Sequence, residues 1–186
     1  LKLASVNVLT MRSNEDKRCL DGLLVSGRLE IFRMQISNLK LLLTGMQETR
    51  LEEGHSSHST MGLICSGRDQ NYCMGCALCY SLEHPYATTI SGRRIKEHTF
   101  RSEHFTVIAN DPRRLLVCVR APYLYCDVLV AHAPHSGASK IDRLAWWRET
   151  EQILGNRNDT SIPLITFIDA NGKVGGLQSG SVGPAG

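Results

Sequence analysis

The sequence predicts an α/β fold on three observations. A strand, helix and buried strand open the chain, and a second such unit lies in its last third. Between them runs a series of short apolar segments separated by turn residues. Parallel strands joined by a crossover helix account for the two ends, and an antiparallel meander accounts for the middle.

Residues 2–9 read as the first strand, with Leu3, Val6 and Val8 apolar, and a loop containing SNEDK follows. Residues 27–39 place Leu29, Phe32, Ile36 and Leu39 at helical spacing. KLLLTGM is then a short, almost wholly apolar strand ending at Gln47-Glu48. The middle strands are MGLICS (61–66), CALCYS (76–81), YATTI (86–90), HFTVIA (104–109) and RLLVCVR (114–120). Gly67 with Asp69, Ser91-Gly92 and Asn110-Asp111-Pro112 mark turns between them. YCDVLVA (125–131) opens the second unit. Ser139 with Asp142 resembles a capping box ahead of a helix that runs to about Leu154, with Ile141, Leu144, Ala145, Ile153 and Leu154 apolar. SIPLITFI is the last buried strand and ends at Asp169.

At 186 residues the chain is expected to form one domain over 1–176, with 177–186 a disordered Gly/Ser-rich tail. No apolar run approaches the roughly 18 residues of a membrane span, and no leader resembling a signal peptide is visible. The chain has no initiator Met, so both ends read as cut. A net charge of +3 permits contact with phosphate polymers without requiring it. Seven cysteines, an odd number without a secretion signal, point to reduced thiols and an intracellular protein.

Four polar positions stand where apolar runs end: Asn7, Glu48, His132 and the pair Asp169/Asn171. Parallel strands share a direction, so their carboxyl ends meet on one rim, where open α/β sheets bind ligands. A hard divalent cation needs only one or two carboxylates, with water and phosphate completing its shell. Glu48 is the first choice for that carboxylate, although a lone loop glutamate is ordinarily a solvated one. Asp169 is suited to orient or deprotonate a water, or to share the metal. Asn171 is suited to hold a phosphate oxygen or position Asp169, and Asp-Ala-Asn-Gly is equally a turn sequence. His132 is suited to stabilise charge on a phosphate oxygen. Asn7 is suited to hold a ligand carboxylate in place.

Other signals carry less. Cys73, Cys76 and Cys79 form C-x-x-C-x-x-C, but on a strand Cys76 faces away from the other two. His55 and His58 lie among serines and read as a polar loop. Of Trp146 and Trp147, one is expected in the core and the other on the surface, away from the rim. Arg93, Arg94, Lys96, Arg113 and Arg114 suit either a nucleic-acid backbone or solvated sheet edges.

NVLT (7–10), QETRL (47–51), HAPHSG (132–137) and DANGKVG (169–175), with SGRDQ (66–70) and the strand at 113–119, resemble the endonuclease/exonuclease/phosphatase superfamily. The chain is most similar to the apurinic-type endonuclease domain of non-LTR retrotransposons and to craniofacial-development-protein-like sequences. The resemblance implies a DNase I-like four-layer α/β/β/α sandwich, incomplete at the carboxyl end, and Mg²⁺- or Mn²⁺-dependent cleavage of a phosphoester in duplex DNA. It implies Glu48 as metal ligand, Asn7 as support of the metal site, Asp169 as activator of water, Asn171 as phosphate ligand and His132 as charge donor. A retrotransposon origin implies a nuclear protein. The family's usual G-D-F-N reads Ile168-Asp169-Ala170-Asn171 here, and its later Asp and closing Ser-Asp-His do not occur before Gly186. This chain is therefore expected to be weak or inactive. A phosphatase, a lipid phosphodiesterase and a non-catalytic remnant are the alternatives.

Overall fold

The computed structural model describes residues 1–12 and 27–172. The SNEDK loop and the Gly/Ser-rich tail lie outside the described residues. Among the described residues, eleven strands and two α-helices follow in chain order: β1 (Leu3–Asn7), α1 (Arg28–Leu39), β2 (Leu43–Gln47), β3 (Gly54–His58), β4 (Met61–Cys65), β5 (Cys76–Ser81), β6 (Ala87–Ser91), β7 (Arg94–His98), β8 (Phe105–Asp111), β9 (Arg114–Ala121), β10 (Leu124–His132), α2 (Lys140–Gly155) and β11 (Leu164–Asp169).

Two sheets carry the domain. One has the order β1-β2-β5-β4-β3 and the other β11-β10-β9-β8, while β6 and β7 form a separate hairpin. The expected parallel pairs are present: β1 runs with β2, and β10 with β11. The middle strands are antiparallel as expected but are shared between the sheets, β4 and β5 in the first and β8 and β9 in the second.

The sheets pack face to face. On β5, Cys76, Leu78 and Tyr80 point between them, as do Leu115, Val117 and Val119 on β9 and Val128 and Val130 on β10. The alternate residues face the helices, as the two-residue strand period requires. Ala77, Cys79, Met46 and Leu63 meet Ile36 of α1, and Leu116, Leu129 and Ala131 meet Trp146 of α2. These strands are buried on both faces, which is why they read as continuous apolar runs. The result is the four-layer α/β/β/α sandwich.

β11 of one sheet packs tightly on β2 of the other. A Cβ built on Gly45 falls 2.2 Å from Cβ of Phe167, so only glycine lets that ring lie on the strand. Gln47, 1% exposed, donates from Nε2 to Ser5 Oγ at 3.1 Å and to the Phe167 carbonyl at 3.2 Å. This amide ties the carboxyl ends of β1, β2 and β11 together.

Several expectations change. GHSSH is the edge strand β3 and not a loop: it pairs with β4, and His55 Nε2 lies 2.7 Å from the Tyr80 hydroxyl. Leu39 is exposed because Lys40 ends α1 in the left-handed region, φ 54°, with its N–H on the Ser37 carbonyl. Ile141 and Leu144 are exposed too, and α2 buries Trp146 and Thr150 instead. Arg114 is a core residue, bound to Asp111, Glu149, Thr150 and the Trp146 carbonyl, so it is not a nucleic-acid contact. Cys76 and Cys79 face opposite sides of β5, and Cys73 precedes the strand, so the three thiols do not converge.

The cap of α2 is present. Ser139 Oγ accepts from the Asp142 N–H at 3.0 Å and donates to its carboxylate at 2.7 Å. Ser139→Ala is expected to cost about 1 kcal/mol of unfolding free energy, measured by urea denaturation.

Candidate active site

The five sequence-selected residues come together on one rim. Asn7 closes β1, Glu48 follows β2, His132 closes β10, Asp169 closes β11 and Asn171 lies two residues beyond. Register places them level within each sheet: Asn7 opposite Gln47, and His132 opposite Asp169. The close packing at Gly45 and Phe167 then sets one rim against the other.

Asn7 is the hub. Its Nδ2 donates to Glu48 Oε1 at 2.8 Å and to Asp169 Oδ2 at 2.9 Å. Two carboxylates from different sheets thus flank a single nitrogen. The Asn7 side-chain oxygen accepts the Leu9 N–H at 3.0 Å, a local turn that fixes the amide's orientation.

On the other side, Asn171 Nδ2 donates to the Ala133 carbonyl at 2.7 Å and lies 3.1 Å from His132 Nε2. A carbonyl neighbour requires the amide's NH₂ at that position, which faces Nε2 of His132, while Nδ1 is buried without a hydrogen-bond partner among the described residues. Glu48 Oε1 is 3.4 Å from the same Nε2. A proton on Nε2 exchanges the Asn171 contact for an ion pair with Glu48. Burial holds the His132 pKa below its ordinary value and Arg113 adds to this, while Glu48 and Asp169 pull the other way. Partial burial of Asp169 favours its neutral form. The Asn7 amide, the Asn171 backbone N–H at 3.0 Å and His132 outweigh this and bring its pKa below the usual value.

A His132 pKa lower in the folded chain means the unfolded chain binds more protons between the folded value and about 6.5. Stability is then full above about pH 6.5 and declines as pH falls through the folded value. We expect urea midpoints in chelator-containing buffer to drop between pH 7 and 5. The drop is expected to be smaller in His132→Gln.

The backbone around these groups is constrained. Glu48 has φ 57° and Asn171 φ 46°, in the left-handed region that costs most L-residues about 1–2 kcal/mol. Such conformations persist where surrounding structure over-determines them, and they concentrate at functional sites. Glu48 is held from both sides. The Val8 N–H bonds the Gln47 carbonyl at 3.0 Å, and the Thr49 and Arg50 N–H groups bond the Gly75 and Met74 carbonyls at 3.0 and 2.8 Å. The SGRDQ stretch shapes that supporting loop, with Asp69 accepting from the Asn71 and Cys73 N–H groups.

The donor set fits Mg²⁺ or Mn²⁺. Its two carboxylates offer hard oxygens, and these ions fill the rest of their shell with water and phosphate. No cluster of three or more His, Cys, Asp or Glu side chains able to cage a metal exists among the described residues. Sequence reasoning missed Gln47 as the tie between the sheets and Asn7 as a bridge between two carboxylates. It also placed Trp147 away from the rim. A groove of about 410 Å³ lined by Trp147, Arg143 and Lys140 instead shares Asn171 and Gly172 with the cleft at Asn7 and Asp169.

No family model matches the chain, and no curated protein matches it. Among solved structures the chain is similar to the endonuclease domain of TRAS1, a telomere-specific non-LTR retrotransposon. The TM-score is 0.44 and the identity 14%, over 76% of this chain and 52% of that one. The chain spans about half the length of that structure. No helix among the described residues is long and apolar enough to cross a membrane.

Proposed function

We propose that the chain carries the metal and water half of a phosphodiesterase site, and that its substrate is DNA. The observation behind this reading is the Asn7 amide shared by Glu48 and Asp169, with His132 and Asn171 beside it. Glu48, positioned by Asn7, would hold Mg²⁺ or Mn²⁺, and Asp169, bound to the same Asn7 amide, would lie beside it. Bound there, the ion would supply Lewis acidity toward a phosphate oxygen and charge neutralisation. Asp169 orients the water that attacks phosphorus. Asn171 donates to a non-bridging oxygen once substrate displaces one of its present partners, and His132 faces the charge that develops there. A new P–O bond forms from the water, whose proton passes to the Asp169 carboxylate, and the ester P–O bond breaks as the leaving oxygen takes a proton from solvent to become a hydroxyl end.

Supercoiled plasmid incubated with Mg²⁺, and in parallel with EDTA, tests the reading. Nicking that requires the ion supports it. Release of phosphate from an inositol phosphate, or hydrolysis of sphingomyelin, without plasmid nicking assigns the same site to a phosphatase or lipid phosphodiesterase instead. If none of these substrates reacts and no divalent ion binds, the non-catalytic alternative holds.

A further inference from the structure

The groove beside the candidate active site is built from one face of α2. Lys140, Arg143, Leu144 and Trp147 follow the i, i+3, i+4, i+7 pattern, so they form a single stripe. Opposite them lie Ala133, Pro134 and residues Ala170 to Gly172, and the space enclosed is about 410 Å³. Trp147 is 50% exposed, and its ring is braced edge-on by the buried Trp146 at a centroid distance of 4.7 Å. Lys140 and Arg143 are exposed, and their side chains make no ion pair or hydrogen bond among the described residues. A rigid aromatic face, two cations and an apolar floor meet in one groove that opens onto Asn171.

We infer that this groove is a nucleotide subsite: it holds a nucleotide flanking the scissile phosphate, with its base stacked on Trp147 and its backbone phosphates against Lys140 and Arg143. The inference rests on the phosphodiesterase reading for the position of the scissile phosphate. Charge selects the occupant. An anionic strand complements Lys140 and Arg143, whereas a second copy of this chain would set those cations against their own kind. The volume suits one nucleotide, at the lower end of ordinary ligand pockets. The aromatic face adds a specificity. Bases in an intact duplex have no free face, so Trp147 takes a base that is unpaired or frayed, and every base offers it a suitable π-surface.

The experiment is a titration of the whole chain in EDTA with a short single-stranded oligonucleotide and, separately, a blunt duplex, followed by tryptophan fluorescence and by anisotropy of a labelled strand. Trp147 is expected to be quenched by the single strand more than by the duplex. Trp147→Ala is expected to weaken single-strand binding about tenfold, and Trp147→Phe to retain most of it. Lys140→Ala and Arg143→Ala are each expected to reduce the slope of log affinity against log salt by about 0.7. Unchanged affinity in Trp147→Ala, or unchanged salt slopes in both cation variants, overturns the subsite. Sedimentation showing that Trp147→Ala dissolves a dimer also overturns it, by assigning the face to a second copy. Because binding is read without metal, quenching by a wild-type chain that binds no divalent ion and hydrolyses none of the substrates named above sinks the phosphodiesterase reading alone. Nicking that persists at full affinity in Trp147→Ala sinks the subsite alone.

Discussion

Asp169→Asn is expected to lower whatever Mg²⁺-dependent plasmid nicking the chain supports by about 10²–10⁴-fold, the usual worth of a positioned acid–base group, and Glu48→Gln is expected to lower it too, by removing the carboxylate that would hold the ion. Both replacements keep size and remove the charge, and each trades one acceptor oxygen for an NH₂. In Glu48→Gln the Asn7 amide can still donate to the remaining oxygen, so the urea midpoint is expected to shift little. Asp169 accepts the Asn7 amide on Oδ2 and the Asn171 N–H on Oδ1, so Asp169→Asn keeps one of these bonds and is expected to cost about 1 kcal/mol of unfolding free energy. Asn7→Ala removes the bridge itself. Its effect is expected to lie below that of either carboxylate, because a positioning group acts through the ligands it orients. The two carboxylates serve one event, so the double variant is expected to be no worse than the weaker single one.

Phe167→Ala is expected to cost about 3–5 kcal/mol of unfolding free energy. The ring is 5% exposed and rests on Gly45, where β11 packs on β2 of the other sheet. A loss of that size is a large fraction of the roughly 5–15 kcal/mol that stabilises a typical domain. Its functional consequence follows from position. Phe167 lies two residues before Asp169, and its carbonyl accepts from Gln47. Loosening this contact lets β11 drift from β1 and β2, and so separates Asp169 from Glu48. Urea denaturation gives the energy, and nicking per folded molecule gives the effect on alignment. Gly45→Val, which forces the ring outward, is expected to act in the same direction.

Much of the frame was legible because its signals are local. Periodicity marks α1, and the continuous apolar runs before Glu48, His132 and Asp169 mark strands covered on both faces. Once two crossover units are recognised, parallel pairing follows and the polar strand ends share an edge. What escaped depends on contacts distant in sequence. GHSSH has no apolar alternation, and β3 exists because β4 offers it a backbone edge and Tyr80 a partner for His55. Nothing in CALCYS and RLLVCVR tells which sheet each joins, since both are buried on both faces. Ile141 and Leu144 fit a helical stripe that α2 turns outward, because Trp146 fills the space above Leu116 and Leu129. The site followed the same division. Its residues were visible as strand ends, while the Asn7 bridge and the left-handed backbone at Glu48 required knowing what stood across the sheet boundary.

The most direct test is Mn²⁺ binding to the chain, followed by electron paramagnetic resonance titration alongside the Glu48→Gln variant. One bound ion per chain, lost or weakened at least tenfold in the variant, is the predicted result. Equal binding by both proteins, or none by the wild type, would contradict the assignment of Glu48 and Asp169 to a shared cation.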